Sequence, residues 1–423
     1  MPEVAADLLE RFRAFRAAAT AHVPAPPAPE PRRVLPLGGW EEVPTTRGAV
    51  PVHTERRGVA LGGALRGAWP ERLAGCTLGP PEGWRWIDLE TTGLCGGSGT
   101  RAFLVGIGRL EGAELVVRQY LLGELDREAA LLEAVWADLA GAAAVVSFNG
   151  KAFDLPLLRD RCLLCGVAGP APALAHWDVL HAARRLWSVA LAGRCDLRRL
   201  QSEVLGELRR GDVAGALIPG LYTAWLDGET GALDAVCRHH REDLFALAGV
   251  AGRLCALAEA GPAAAGEPAV LWGLGRLYER AREPAAAAAA YRAAHDRGMR
   301  EAGAAAAQLL RRLGRHAEAV AIWERERTAR VPSLDAAVEL AKYLEHRRGD
   351  PGAALAVVRE ALRWAALAGP ERRAALEHRE RRLRRKLEAR PRAVQGTATG
   401  PGAPPGAAPP GPADPPDSVP LSP

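Results

Sequence analysis

The stretch Trp84-Arg85-Trp86-Ile87-Asp88-Leu89-Glu90-Thr91-Thr92-Gly93 constrains this chain more than any other. Large apolar residues surround Ile87 and the run closes on Thr-Thr-Gly, which predicts a buried strand ended by a turn. Strand side chains alternate between faces, so Asp88 and Glu90 point the same way. Two carboxylates on one face of a buried strand repel each other unless a cation sits between them, and a hard divalent metal suits oxygen donors. A surface strand with alternating acids carries the same Asp-x-Glu, so the meaning of the pair is decided further down the chain.

With 423 residues the chain is too long for one core, and two domains plus tails are expected. It is 48% hydrophobic with no apolar run of membrane length, which argues for a soluble protein without a membrane partner. Met1-Pro2-Glu3-Val4-Ala5-Ala6-Asp7 lacks the basic and apolar regions of a secretion signal, and seven irregularly spaced cysteines do not form a disulfide framework. Both readings point to the cytoplasm. A net charge of +5 and a pI near 9.0 are compatible with a nucleic-acid partner.

An amphipathic helix is predicted over residues 5–19, with Leu8, Leu9, Phe12 and Phe15 at helical spacing, followed by a Pro-Ala linker from His22 to Pro31. Residues 1–35 are thus set apart from a globular domain over 36–260, whose core is 84–258. Short apolar pieces between Arg33 and Arg57 read as edge strands or an arm. After Glu90, Ala102–Gly108 and Glu114–Leu122 complete a strand meander, Asp126 is expected to cap a helix through Leu139, and Ala143–Phe148 forms a buried strand parallel to the first. This order is that of the ribonuclease H-like α/β fold.

Two more constellations follow. In Asn149-Gly150-Lys151-Ala152-Phe153-Asp154, the Asn-Gly pair makes a turn and Asp154 stands in the first turn of a helix, where backbone N–H dipoles favour a carboxylate whether or not it has a further role. In Cys237-Arg238-His239-His240-Arg241-Glu242-Asp243, on a helix from about Ala232 to Leu257, His239 and Asp243 share one face a turn apart, as an ordinary helix pair also would.

The three blocks in this order, Asp-x-Glu, Asn-x-x-x-Phe-Asp and His-x-x-x-Asp, resemble the DEDD superfamily of 3′-to-5′ exonucleases. Within it the chain is most similar to the YprB-like family of ribonuclease H-like domains, a pattern that continues in His176–His181 and Arg210–Tyr222. The resemblance implies a metal-dependent 3′-to-5′ exonuclease that takes nucleic acid, DNA or RNA with a free 3′ end, and two divalent ions, Mg²⁺ or Mn²⁺. It makes Asp88, Glu90, Asp154 and Asp243 the metal ligands and puts His239 where the Tyr-x-x-x-Asp branch has its tyrosine. A histidine can take a proton from water near neutral pH, and His239 is the expected base; His240, about 100° around the helix, is not. Thr91, Thr92, Asn149 and Lys151 lie close in sequence to the acids and are candidate contacts for the terminal nucleotide. Asp178 reads as a helix-starting acid outside the metal set, and Cys162/Cys165, without a second pair at ligand spacing, as packed thiols rather than a zinc site. Arg184, Arg185, Arg194, Arg198 and Arg199 form a basic segment able to track a phosphate backbone or to serve as a solvated helical face.

Beyond Gly261-Pro262 alanine-rich helices recur at spacings of 32–34 residues, which predicts tetratricopeptide-like hairpins over 268–370, a charged helix over 371–392 and a disordered tail over 393–423. Stacked hairpins offer a surface to a protein partner. Two other functions stand beside the exonuclease: a non-catalytic scaffold acting through the repeats, and a structure-specific endonuclease using the same metals.

Overall fold

The computed structural model describes residues 34–59, 63–93, 99–169, 174–209, 211–365 and 369–389. The expected N-terminal helix, the Pro-Ala linker, most of the Gly93–Gly99 turn and the C-terminal tail lie outside them. The chain divides into two units, Met1–Ala329 and Arg330–Pro423.

The first unit is built on a seven-stranded mixed sheet in the order β1-β2-β5-β4-β3-β6-β7. Its strands are β1 Trp40–Thr45, β2 Gly48–Gly58, β3 Trp84–Thr91, β4 Ala102–Glu111, β5 Glu114–Leu121, β6 Ala144–Ser147 and β7 Ala175–Asp178. The β3-β4-β5 meander is antiparallel, while β6 and β7 continue from β3 in parallel. Of the segment expected to supply edge strands, β1 is at the edge and β2 lies between β1 and β5.

The helices of this unit are α1 Trp69–Ala74, α2 Glu128–Leu139, α3 Asp154–Cys165, α4 Val179–Trp187, α5 Leu197–Val204, α6 Ile218–Leu226 and α7 Asp234–Ala260, followed by α8 Pro268–Arg280, α9 Pro284–Asp296, α10 Arg300–Arg312 and α11 His316–Arg327. Asp126 does not cap α2; it lies in a 3₁₀ turn, Leu125–Arg127, that runs straight into the helix with no side-chain cap. On one sheet face Ile87, Leu89, Phe103, Val105, Ile107 and Tyr120 pack against α2, α3 and α6, with Phe103 stacked on Tyr222 at 4.1 Å. The same core buries Cys162, whose Sγ accepts the indole N–H of Trp136. The opposite face carries Trp84, Trp86, Asp88 and Glu90 and is covered by α7, whose Leu244 and His240 are fully buried.

The second unit is all-helical, with α12 Leu334–His346, α13 Pro351–Trp364 and α14 Pro370–Glu388. The first helices of the successive pairs start at 268, 300 and 334, which is the spacing read from the sequence. On α14, Arg379, Arg382 and Lys386 all face the buried Glu345 of α12, so part of this charged helix is an internal ion-pair surface. No helix among the described residues is long and apolar enough to cross a membrane.

Candidate functional site

The site lies at the carboxyl end of β3. Its two acids share the α7 face of the sheet, and a register shift between Glu90 and Thr91, where the ladder with β4 passes from Leu104 to Ala102, interrupts regular pairing at that point. Such a bulge re-aims the side chains beside it. The helix can reach the acids because the residue opposite Asp88 on β4 is Gly106. A Cβ at Gly106 would lie 2.4 Å from Leu244 Cδ1 and 2.6 Å from His240 Cε1, so only glycine lets α7 pack this close. His240 then serves as a fixed strut. Its Nε2 is 3.1 Å from the Asp88 carbonyl oxygen and its Nδ1 is 2.9 Å from Gln119 Nε2, while burial lowers its pKa to about 4.

One turn on the same helix brings His239 and Asp243 to the acids. His239 Nε2 lies 3.1 Å from Asp243 Oδ2 and 3.9 Å from Glu90 Oε1. One donor atom each from Glu90, His239 and Asp243 falls within a mutual 4.8 Å, a spacing able to hold a metal ion. Asp154, at the start of α3, belongs to the same field: its charge, like that of Asp243, raises the pKa of both Asp88 and Glu90.

Burial is the leading cause of these shifts, because it disfavours the ionised carboxyl. It pushes Asp88 well above the carboxylate range, with Asp243, Asp154 and Glu90 adding to the effect. Burial lifts Glu90 to about 8 although the His239 charge opposes it, and burial with the Asp178 charge lifts Asp154 to about 7. Asp243 moves the other way: burial is outweighed by the hydrogen bond from His239 and by Arg209. For His239 burial alone would lower the pKa, but Asp243, Asp212 and Glu90 together raise it to about 9.

Two residues of this cluster are not legible in the acid motifs. Arg209 and Asp212 come from the segment between α5 and α6, within and beside the Arg210–Tyr222 stretch that carries no chemistry when read alone. Arg209, its side chain 4% exposed, places Nη2 2.5 Å from Asp243 Oδ1. Asp212, 5% exposed, places Oδ1 2.5 Å from His239 Nδ1. A carboxylate only accepts, so this contact puts a proton on Nδ1 and directs Nε2 toward Glu90 and Asp243.

The remaining candidates lie in two turns, one after β6 and one after β3. Asn149 adopts φ +73° in the turn after β6; its N–H and that of Lys151 donate to the two oxygens of Asp178, which also caps α4 through Leu180 N–H. Asp178 thus holds the turn leading to Asp154, and the Lys151 side chain is exposed. Thr91 donates its hydroxyl to the Gly93 carbonyl, and Thr92 Oγ1 accepts from Arg101 N–H, so both hydroxyls take part in the turn beyond β3.

A sequence profile of the RNase_H superfamily matches residues 86–255, the span from β3 through α7. The chain is 31% identical over 308 residues to the uncharacterised protein YprB of Bacillus subtilis (strain 168), an alignment covering 71% of this chain and 74% of that one.

Proposed function

Because the chain belongs to the YprB-like family of the ribonuclease H superfamily, we propose that it hydrolyses the phosphodiester bonds of a nucleic acid one nucleotide at a time from a free 3′ end. The observation that carries this reading is the convergence of β3 and α7 on one acidic centre: Glu90, His239 and Asp243 within 4.8 Å, with Asp88 and Asp154 in the same field. Four carboxyl groups meet one guanidinium and one imidazole in a largely buried place, where burial holds protons on Asp88, Glu90 and Asp154 that a bound cation can replace, and the donors are the oxygens that hard cations prefer. We assign Asp88, Glu90, Asp154 and Asp243 as ligands of two divalent ions, Mg²⁺ or Mn²⁺. Bound there, the ions would supply positive charge to the entering and leaving oxygens of the scissile phosphate.

His239 Nε2 is the assigned acceptor of the proton from the attacking water, and Asp212 holds the ring in the tautomer this requires. At a pKa of about 9 the ring is cationic at neutral pH. Of the three carboxylates that raise it, Asp243 and Glu90 are assigned as ligands, so compensating their charge lowers the imidazole toward its ordinary range near 6.5, while Asp212 continues to raise it. Lys151 and Asn149, on the turn beside Asp154, are assigned to the terminal nucleotide; Thr91 and Thr92 flank it from β3.

Digestion of 5′-labelled DNA and RNA, single- and double-stranded, in Mg²⁺ or Mn²⁺ tests the reading. A ladder shortening from the 3′ end is expected, with loss of cleavage in Asp88→Ala and a strong reduction in His239→Ala. Cleavage unaffected by a 3′-terminal phosphate would replace the exonuclease by an endonuclease. Wild-type activity retained by Asp88→Ala would remove the assigned centre.

A further inference from the structure

Resting on the nucleic-acid reading above, we propose that the substrate strand runs from the acidic centre along α4 and onto α8, so that the first helix of the helical array forms part of the nucleic-acid path. The two helices meet without intervening side chains. A Cβ at Gly273 of α8 would lie 1.9 Å from the carbonyl oxygen of Leu186, so the α8 backbone rests directly on the end of α4. This contact fixes Arg185, next to Leu186, close to Arg276 and Arg280, which stand one and two turns beyond Gly273. The three guanidiniums feel one another: after burial, the charges of Arg280 and Arg276 are the causes that depress the Arg185 pKa.

Like charges gathered this way are unfavourable unless something anionic covers them. No ion pair involves Arg184, Arg185, Arg276 or Arg280 among the described residues, whereas Arg292, Arg300, Arg315, Arg325 and Arg327 further along the array are all paired with acids. Helix α4 contains no acid at all. The one acid of α8, Glu279, accepts a hydrogen bond from Tyr291 at 2.5 Å.

The strip also has an origin at the acidic centre. Helix α4 starts at the Asp178 carboxylate that holds the turn before Asp154, and its exposed residues His181 and Arg184 lie one turn apart between that point and Arg185. At about 1.5 Å per residue, Asp178 to Leu186 on α4 covers about 12 Å and Gly273 to Arg280 on α8 about 10 Å. At about 3.4 Å per phosphate, each stretch matches roughly three phosphates of a stacked strand. The anion that fits is therefore a polynucleotide backbone, bound without reference to base sequence.

The test uses the full chain with Arg276→Gln/Arg280→Gln, and Arg297→Gln as an exposed control elsewhere on the array. Anisotropy of a labelled single strand of about 20 nucleotides, in EDTA, is measured over a salt series beside a strand of about four nucleotides. Loss of two phosphate contacts is expected to flatten the log–log salt slope for the long strand by about 1.4, with the short strand and the control unchanged. An unchanged slope, or equal weakening of long and short strands, overturns the proposal. Loss of long-strand binding in a protein that cleaves nothing in Mg²⁺ or Mn²⁺ would uphold the path while removing the exonuclease reading; cleavage of long strands unaltered by the double substitution, with unaltered binding, would do the reverse.

Discussion

Replacing Gly106 by alanine tests whether the packing of α7 on the sheet sets the site. The new methyl would sit 2.4 Å from Leu244 Cδ1 and 2.6 Å from His240 Cε1, where ordinary contact begins near 3.4 Å, so about 1 Å of space is missing. Neither neighbour has an easy exit: both are fully buried, and the His240 ring is held by Gln119 and by the Asp88 carbonyl. The helix must lift. Overpacking of this kind costs about 1–3 kcal/mol, which for a domain of this size lowers Tm by about 2–4 °C per kcal/mol. Because His239 and Asp243 ride on the same helix, the lift also moves them from Glu90, and a displacement near 1 Å costs about 100-fold in rate. Thermal unfolding and metal-dependent cleavage of the purified variant measure both effects. A variant with unchanged Tm and full activity would refute the reasoning.

Further outcomes follow from the same contacts. Asp212→Asn, which keeps the shape but not the charge beside His239, is expected to lower kcat by about 10–100-fold with little change in KM or Tm; steady-state kinetics with a parallel melt separates this from a folding defect. Glu128→Ala removes the carboxylate that pairs with the buried guanidinium of Arg161, now bonded at 2.6 Å to both of its oxygens, and should destabilise the first unit by about 3–5 kcal/mol in a denaturant titration. Glu90 and Asp154 have pKa values raised to about 8 and about 7. The folded state therefore holds protons that the unfolded chain has released, and without added metal their contribution to stability falls as pH rises from about 4 to about 8. Mn²⁺ must displace those protons, so its affinity by calorimetry should climb over about pH 6–8 with proton release and then level off.

The strand carrying Asp88 and Glu90, the parallel β6 and the long helix of His239 were legible because each follows local rules: period-2 burial, a turn, and an apolar stripe at helical spacing. The repeat of the helical array was legible for the same reason. Arg209 and Asp212 were not, since they lie between helices and meet α7 across about 30 residues with no periodic relation to it. Asp178 is legible as a helix start, yet nothing local shows that its second oxygen holds the turn before Asp154. The role of Gly106 was equally hidden, because a glycine in a strand reports close approach without naming what approaches. The basic residues of α4 became interpretable only once Gly273 had brought α8 against them.

In the proposed centre, carboxylates from a strand and two helices share a pair of cations. Diffraction from crystals soaked in Mn²⁺, recorded at the manganese edge, tests it most directly. Two anomalous peaks about 3.5–4 Å apart are expected among Asp88, Glu90, Asp154 and Asp243, both absent from Asp88→Asn/Asp243→Asn crystals. Manganese bound elsewhere, or no peak between these residues at saturating concentration, would contradict it.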